Sequence, residues 1–244
     1  MKVVIFLSVF FISTAISLNQ LETPSNYKVA KLSSPPEINA IWDKKPWSDI
    51  EPVQLALYMG DKPDHFPFTQ AKMAYDDQAV YIIFRVEDQY VKSVHSQNQD
   101  PVCRDSCVEF FFSPEDNVKK GYFNLEMNCG GTMLFNHQLK RQTDVVLINE
   151  DDLQMVKVAH SMPKIIDEEI NKKTTWVVEY SIPFSILSNY QTATSPEAGD
   201  VWRANFYKCG DRTSHPHWLT WAPVDYPKPN FHLPQFFGSL EFQK

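Results

Sequence analysis

The chain has 244 residues, a formal net charge of −7, and 23 basic residues that are scattered along it. An outnumbered and dispersed basic set argues against a phosphate backbone as partner, so no nucleic acid is expected. Aromatic side chains make up 14% of the sequence, more than a small core demands, which leaves rings over for a contact surface.

The chain opens with Met1, Lys2 and the apolar run "VVIFLSVFFISTAI". That run is shorter than the roughly 20 residues a spanning helix needs. Small residues at Ser13, Ala15 and Ser17 offer cleavage points, so residues 1–18 read as a signal peptide. No cysteine lies nearby to carry a lipid. The expectation is an exported protein, periplasmic or extracellular, with no membrane insertion after cleavage. Residues 19–37 are polar and proline-bearing, and read as an extended lead-in of strand and turn. The remainder, 38–244, reads as one domain, a size that a single all-β unit accommodates.

Short runs with period-two alternation then follow one another, separated by turn residues. They include "TQAKMAYDD", "AVYIIFRVED", "SCVEFFFSP", "GYFNLEMNCGG", "TTWVVEYSIP", "VWRANFYKCGD" and the closing "FFGSLEF". This is the pattern of an all-β antiparallel sandwich. Helix is sparse, with one short turn expected over 183–187, where Pro183 suits a first helical position. The four cysteines, Cys103, Cys107, Cys129 and Cys209, allow three full pairings, and spacing does not choose among them. A C-x3-C pair followed by two distant single cysteines is weak zinc spacing, so buried thiols or a structural disulfide are expected.

Side chains alternate between the faces of a strand, and three strands divide in the same way. Val108, Phe110 and Phe112 share one face of their strand, while Cys107, Glu109 and Phe111 share the other. Phe123, Leu125, Met127 and Cys129 oppose Tyr122, Asn124, Glu126 and Asn128. Trp202, Ala204 and Phe206 oppose Arg203, Asn205 and Tyr207. A merely solvated face would favour lysine and interchangeable charge; planar amides, carboxylates and phenols make directional hydrogen bonds instead. Hydroxyl-rich ligands need such groups, and the C–H faces of a sugar want an aromatic ring. The segment "TSHPHWLTWAPVDYPKPNFHLPQFFG" supplies rings on a proline-stiffened loop, and recognition tends to sit on such loops. Its histidines, His215, His217 and His232, have poor metal spacing.

From about Ile38 onward the sequence resembles the family 9 carbohydrate-binding modules, in particular their stand-alone bacterial relatives. The resemblance rests on segments in the family's order: "IWDKKPW", "AKMAYDDQAVYIIFRVEDQYV", "DSCVEFFFSP", "GYFNLEMNCGGT", "WVVEYSIPFSIL", "WRANFYKCGD", "LTWAPV" and "PNFHLPQFFGSLEF". It implies a β-sandwich of jelly-roll or immunoglobulin-like kind that binds oligo- or polysaccharide without cleaving it, in support of polysaccharide breakdown or uptake. In such modules two rings clamp a terminal sugar and polar sheet residues take its hydroxyls. Carried over by position, Glu109 falls on the sugar-binding glutamate, Asn124, Glu126 and Tyr207 on neighbouring polar positions, and Phe231 on a clamp ring with His232 beside it. The other clamp ring is expected where this chain has Val102 and Cys103, so either the clamp is half-built, or Trp218, Trp221 or Tyr226 completes it from elsewhere, or the ligand is not a terminal sugar. No cofactor is required by this reading. Some members hold structural calcium, and "VEDQY" resembles a segment that supplies a ligand at Asp88. Calcium takes six to eight oxygens, so one aspartate favours a solvated turn residue. A monomer is expected.

Two other readings compete. Glu109 and Glu126 have the composition of a glycosidase pair, although neither strand shows an apolar pocket that would raise a carboxyl's pKa. A haem or redox module would need Met and His ligands facing one cavity, whereas Met127 has core parity and no histidine falls in a recognised strand.

Overall fold

The computed structural model describes residues 25–191, 193 and 195–244; the signal-peptide reading of residues 1–18 lies outside them. In chain order the strands are β1 (Asn26–Lys31), β2 (Val53–Gln54), β3 (Leu57–Tyr58), β4 (Phe68–Tyr75), β5 (Ala79–Ser93), β6 (Cys107–Ser113) and β7 (Tyr122–Asn128). They continue with β8 (Met133–Gln138), β9 (Val146–Leu147), β10 (Lys157–His160), β11 (Ile166–Pro183), β12 (Val201–Cys209), β13 (Trp218–Thr220) and β14 (Gly238–Phe242). Two short helices, α1 (Glu150–Met155) and α2 (Phe184–Ser188), complete the regular structure together with single 3-10 turns.

The strands run in the order β10-β11-β5-β4-β1-β14-β12-β6-β7-β8-β9, one continuous sheet curled into two packed layers. Almost every pairing is antiparallel, as alternation with short turns predicts. The exception is β1, which is parallel to both of its neighbours. Its first residues pair with β14, and Ala30 and Lys31 then pair with Ala74 and Tyr75 of β4. The sheet is therefore mixed, and the strand that carries the chain from one layer to the other lies within the segment read as a lead-in. The fold begins ahead of residue 38. The β4–β5 hairpin turns at Asp76, whose Oδ1 accepts from the backbone N–H groups of Gln78 and Ala79 at 2.8 and 3.0 Å. Helix α2 starts one residue later than expected, with Pro183 at its cap. Helix α1 was not anticipated; its signal is Asn149, whose side chain accepts from the N–H of Asp152.

Between the layers the inward faces make one core, and the parity read from sequence holds. Phe110, Phe112, Phe123, Leu125, Met127, Cys129, Trp202, Ala204 and Phe206 all lie in it. Phe206 stacks on Phe110 with ring centroids 5.0 Å apart and meets Phe84 of the opposite layer edge-on at 5.9 Å. A second, smaller cluster covers the outer face of β6, β7 and β12, and a third lies outside β4, β5 and β11 around Trp47. There Glu179, fully buried, accepts from Trp47 Nε1 at 2.7 Å and from the backbone N–H groups of Asn39 and Ala40. Among the described residues no helix is long and apolar enough to cross a membrane.

One end of the core is polar. Lys208 on β12 is buried, donates to His217 Nε2 at 2.7 Å, and lies 3.5 Å from Asp88 Oδ2 on β5 in the other layer. His65 Nε2 meets the other Asp88 oxygen at 2.6 Å. Asp88 is thus not a solvated turn residue, and its carboxylate does not suit calcium, because a lysine ammonium and a histidine already face its two oxygens. Burial would raise its pKa, but Lys208 and His65 together hold it well below the usual carboxylate range.

Burial, and then the Lys208 charge, depress the pKa of His217 to about 3, against about 6.5 in an unfolded chain. Between those values the unfolded state binds a proton that the folded state refuses, so stability falls as pH falls through the window. The facing groups are Lys208, Asp88 and His65. Wild-type protein should lose about 1 kcal/mol per pH unit between pH 6 and 5 beyond what a His217→Gln variant loses. Urea midpoints measured at both pH values check this; parallel losses in the two proteins would remove the assignment.

Candidate functional site

The outer face of β6, β7 and β12 carries the polar set read from the sequence, and the strand register arranges it in rows. Glu109 lies directly between Tyr207 on β12 and Glu126 on β7, while Phe111 lies between Asn205 and Asn124. This face is not an open, wettable one. Residues 221–237 return across it, so that Glu109 is 2% and Glu126 7% exposed, and Asn124 and Tyr207 are fully buried. Tyr207 holds that segment down: its ring stacks on Phe231 with centroids 4.0 Å apart, and its hydroxyl donates to the Phe231 carbonyl at 3.2 Å.

Between the sheet and this cover a cavity of about 180 Å³ remains. Glu109 and Glu126 line it from β6 and β7, Trp218 from β13, and Phe231 and His232 from the cover, with Asp211 and Arg141 also on its wall. Five of the expected residues are thereby brought together. Asn124 and Tyr207 lie beneath the lining and support it. Trp221 is a correction: it packs from the other side against the main core, with its ring 5.6 Å from Phe206. Tyr226 is exposed and does not line the cavity, so Trp218 is the second large ring on its wall beside Phe231. The sequence reading missed Arg141, Asp211, Cys103, Cys209, Pro229 and Asn230. Only Asp211, just past the β12 strand end, carried a usable signal.

An amide relay sets the orientation of the lining groups. The backbone N–H of Gln142, a residue at positive φ in the turn after β8, donates to Gln138 Oε1 at 3.0 Å. Gln138 Nε2 donates to Asn124 Oδ1 at 2.9 Å, and Asn124 Nδ2 in turn donates to Glu126 Oε1 at 3.1 Å. Gln138 Nε2 also faces His232 Nδ1 at 3.2 Å, beside the Tyr122 hydroxyl at 3.0 Å. Gln138 Nε2 also donates to Asn136 Oδ1 at 3.1 Å, so the two amide hydrogens serve Asn124 and Asn136, and the Tyr122 hydroxyl is the partner of His232 Nδ1. Burial lowers the His232 pKa to about 4, which keeps the ring neutral, with one nitrogen a donor and the other an acceptor.

The carboxyls are unusual in the opposite direction. Burial lifts Glu126 to about 7, and Glu109 is raised well above the ordinary range by burial together with the facing Glu126 charge. The expectation that neither strand offers a pKa-raising environment is overturned, because the environment comes from a cover distant in sequence. Glu109 Oε1 accepts from Cys209 Sγ at 3.1 Å. Among the described residues no hydrogen bond reaches the second oxygen of either carboxyl, leaving one polar atom on each for a guest. Met127, the candidate axial ligand of a haem reading, lies in the intersheet core and does not line the cavity.

A buried sheet face furnished with carboxyls and amides and bordered by two rings matches the chemistry that the sequence pattern anticipates. Residues 42–242 match carbohydrate-binding family 9. The chain belongs to that family. Among solved structures it is similar to a Bacteroides uniformis protein named for a carbohydrate-binding role, at 29% identity and TM-score 0.79, covering 91% of this chain and 100% of that one. It also shares its fold with a family 9 module of Caldicellulosiruptor kristjanssonii in complex with cellotriose, at 14% identity and TM-score 0.63, covering 90% of this chain and 94% of the module. A glucose complex of a family 9 module from the same organism aligns with TM-score 0.59 at 14% identity, over 90% of this chain and 96% of that one. No curated protein matches the chain.

The relay generates a stability prediction. Gln138→Leu strands buried partners at Asn124, Asn136 and the Gln142 N–H, and should cost about 2 kcal/mol or more. The urea midpoint should fall with little change in slope; an unchanged midpoint would show that the relay orients nothing.

Proposed function

We propose that this family 9 protein binds a single sugar ring of an oligo- or polysaccharide in the cavity over β6 and β7, without cleaving it. The observation that carries the reading is the meeting, around one cavity, of two aromatic rings and a floor of buried carboxyls each with a free oxygen. The ring's C–H faces would lie against Phe231 and Trp218. Its hydroxyls would hydrogen-bond with the Glu109 and Glu126 carboxyls, a protonated carboxyl donating from one oxygen, and with His232, and would accept from the Arg141 guanidinium. Asn124 and Tyr207 act as positioning residues. The glucose and cellotriose complexes of the Caldicellulosiruptor modules support glucose-type sugars as the first ligands to try. The apolar run at the N-terminus supports export, and with it a role in polysaccharide breakdown or uptake outside the cytoplasm.

The paired glutamates with raised pKa values are the one observation that favours a glycosidase. The geometry weighs against it. Catalytic carboxyls flank the scissile bond, whereas Glu109 and Glu126 are register partners side by side on one floor. A bound ring would meet both from the same side.

A glycan array on the purified protein, followed by calorimetry with glucose and cellooligosaccharides, tests the proposal. Glu126→Ala should weaken binding by about tenfold or more, since a ligand hydroxyl left unpaired in the cavity costs about 1–3 kcal/mol. Near-normal affinity in that variant would take Glu126 out of the site. Release of reducing sugar from a bound oligosaccharide, abolished by the same change, would establish the hydrolase instead.

A further inference from the structure

The cysteines pose a separate question, because all four thiols are free and three are buried. Cys103 sits in a 3-10 turn ahead of β6, so the C-x3-C spacing never places it beside Cys107 on the strand. The structure makes a different grouping. Cys107 and Glu109 are two residues apart on β6 and share its outer face, and Cys209 is the register partner of Cys107 on β12. Two side chains at i and i+2 plus one from the adjacent strand form a tripod that converges above a sheet. Here the two Sγ atoms and one carboxylate oxygen lie within 4.8 Å of one another, with all three residues buried.

We propose that Cys107, Cys209 and Glu109 form a zinc site, with a fourth coordination position opening onto the cavity that Cys209 and Glu109 line. Zinc takes thiolate sulfur at about 2.3 Å and carboxylate oxygen at about 2.0–2.2 Å in tetrahedral array, which spaces donors about 3.5–3.8 Å apart. Closing the tripod therefore needs side-chain movements of the order of an ångström. Cys209 Sγ and Glu109 Oε1 are already 3.1 Å apart. Two thiolates select a soft or borderline cation over calcium or magnesium. Three protein ligands with one open position is the arrangement in which zinc keeps an exchangeable partner. As the metal enters, two thiol protons and any proton on Glu109 leave to solvent. The site stands on the tripod alone and does not depend on whether the cavity takes a sugar.

The test uses the purified protein, reduced, stripped with chelator and titrated with cobalt(II). One equivalent should bind with strong sulfur-to-cobalt charge-transfer absorption and be displaced by one equivalent of zinc. X-ray absorption at the zinc edge should then report two sulfur ligands, a readout that needs no variant. Cys107→Ser and Cys209→Ser should each weaken cobalt binding by more than the roughly 10–100-fold that loss of an outer-shell partner costs. Cys129→Ser, in the intersheet core, should leave the absorption unchanged. Absence of the charge-transfer band, a zinc edge without sulfur, or equal binding by the Cys107→Ser/Cys209→Ser double variant would overturn the site. So would a Cys107–Cys209 disulfide occupying the pair in protein isolated without reductant. Because sugar affinity is measured separately by calorimetry, loss of either reading is distinguishable from loss of the other.

Discussion

Strands β6, β7 and β12 are buried on both faces, and the rest of the structure follows from that. Period-two alternation would normally send one set of side chains to the core and the other to water. Here the second set is roofed by residues 221–237, so every side chain on these strands must find either apolar packing or a hydrogen-bond partner. The inward set solves the problem with rings: Phe110, Phe112, Phe206 and Trp202 fill the space between the layers. The outward set solves it with amides that bond one another and with Tyr207 stacked beneath Phe231. The cover is therefore part of the fold as much as part of the site.

The same rule explains the polar end of the core. Lys208 follows the parity of Ala204 and Phe206 and so points inward, where an unpaired ammonium would be severely destabilising. Asp88 has the inward parity of Phe84 and Val86 on the opposite layer and meets it there; Lys208 also donates to His217 and the Cys209 carbonyl, and Asp88 also faces His65 and accepts from the N–H groups of Gln89 and Tyr90. An ion pair that joins the two layers is weak evidence for net stability, but once present neither member can be removed alone. A wrong register of β12 against β6 would strand the Lys208 charge. This gives the pair a means of fixing how the layers sit.

Local information in the sequence was enough for parity and strand type, because both depend only on neighbours along the chain. The inward and outward sets of β6, β7 and β12 were legible residue by residue, as were the Asp76 turn and the short helix after Pro183. What depends on distant segments was not. The alternation around Glu109 is the same whether water or residues 221–237 lie above it, so its burial and its raised pKa could not be read from β6. Trp218 and Trp221 are three residues apart on a short strand and its exit, and only the pairing of β13 with β12 decides which reaches the cavity. The parallel course of β1 was hidden for the same reason, since a strand's sequence does not state its partner. Cysteine spacing misled in one respect: the grouping of Cys107 with Cys209 is a matter of register across about a hundred residues of chain.

Two carboxyls facing each other under a protein roof are costly, and that cost bears on the proposed ligand. Each buried carboxyl has already given up much of the water that an exposed carboxylate would still hold, so a sugar hydroxyl pairing with it displaces less. On an open sheet the same contact would exchange one hydrogen bond for another, with a net gain of only about 0.5–1.5 kcal/mol. Burial also holds the carboxyls in place, since Asn124 and Cys209 fix one oxygen of each and leave the other directed at the guest. A hydroxyl pair on one ring, itself rigid, then meets carboxyls that need no reordering. The raised pKa values and the capacity for a hydroxyl-bearing guest are two consequences of one arrangement: carboxyls held in register, largely buried, and one hydrogen bond short within the protein.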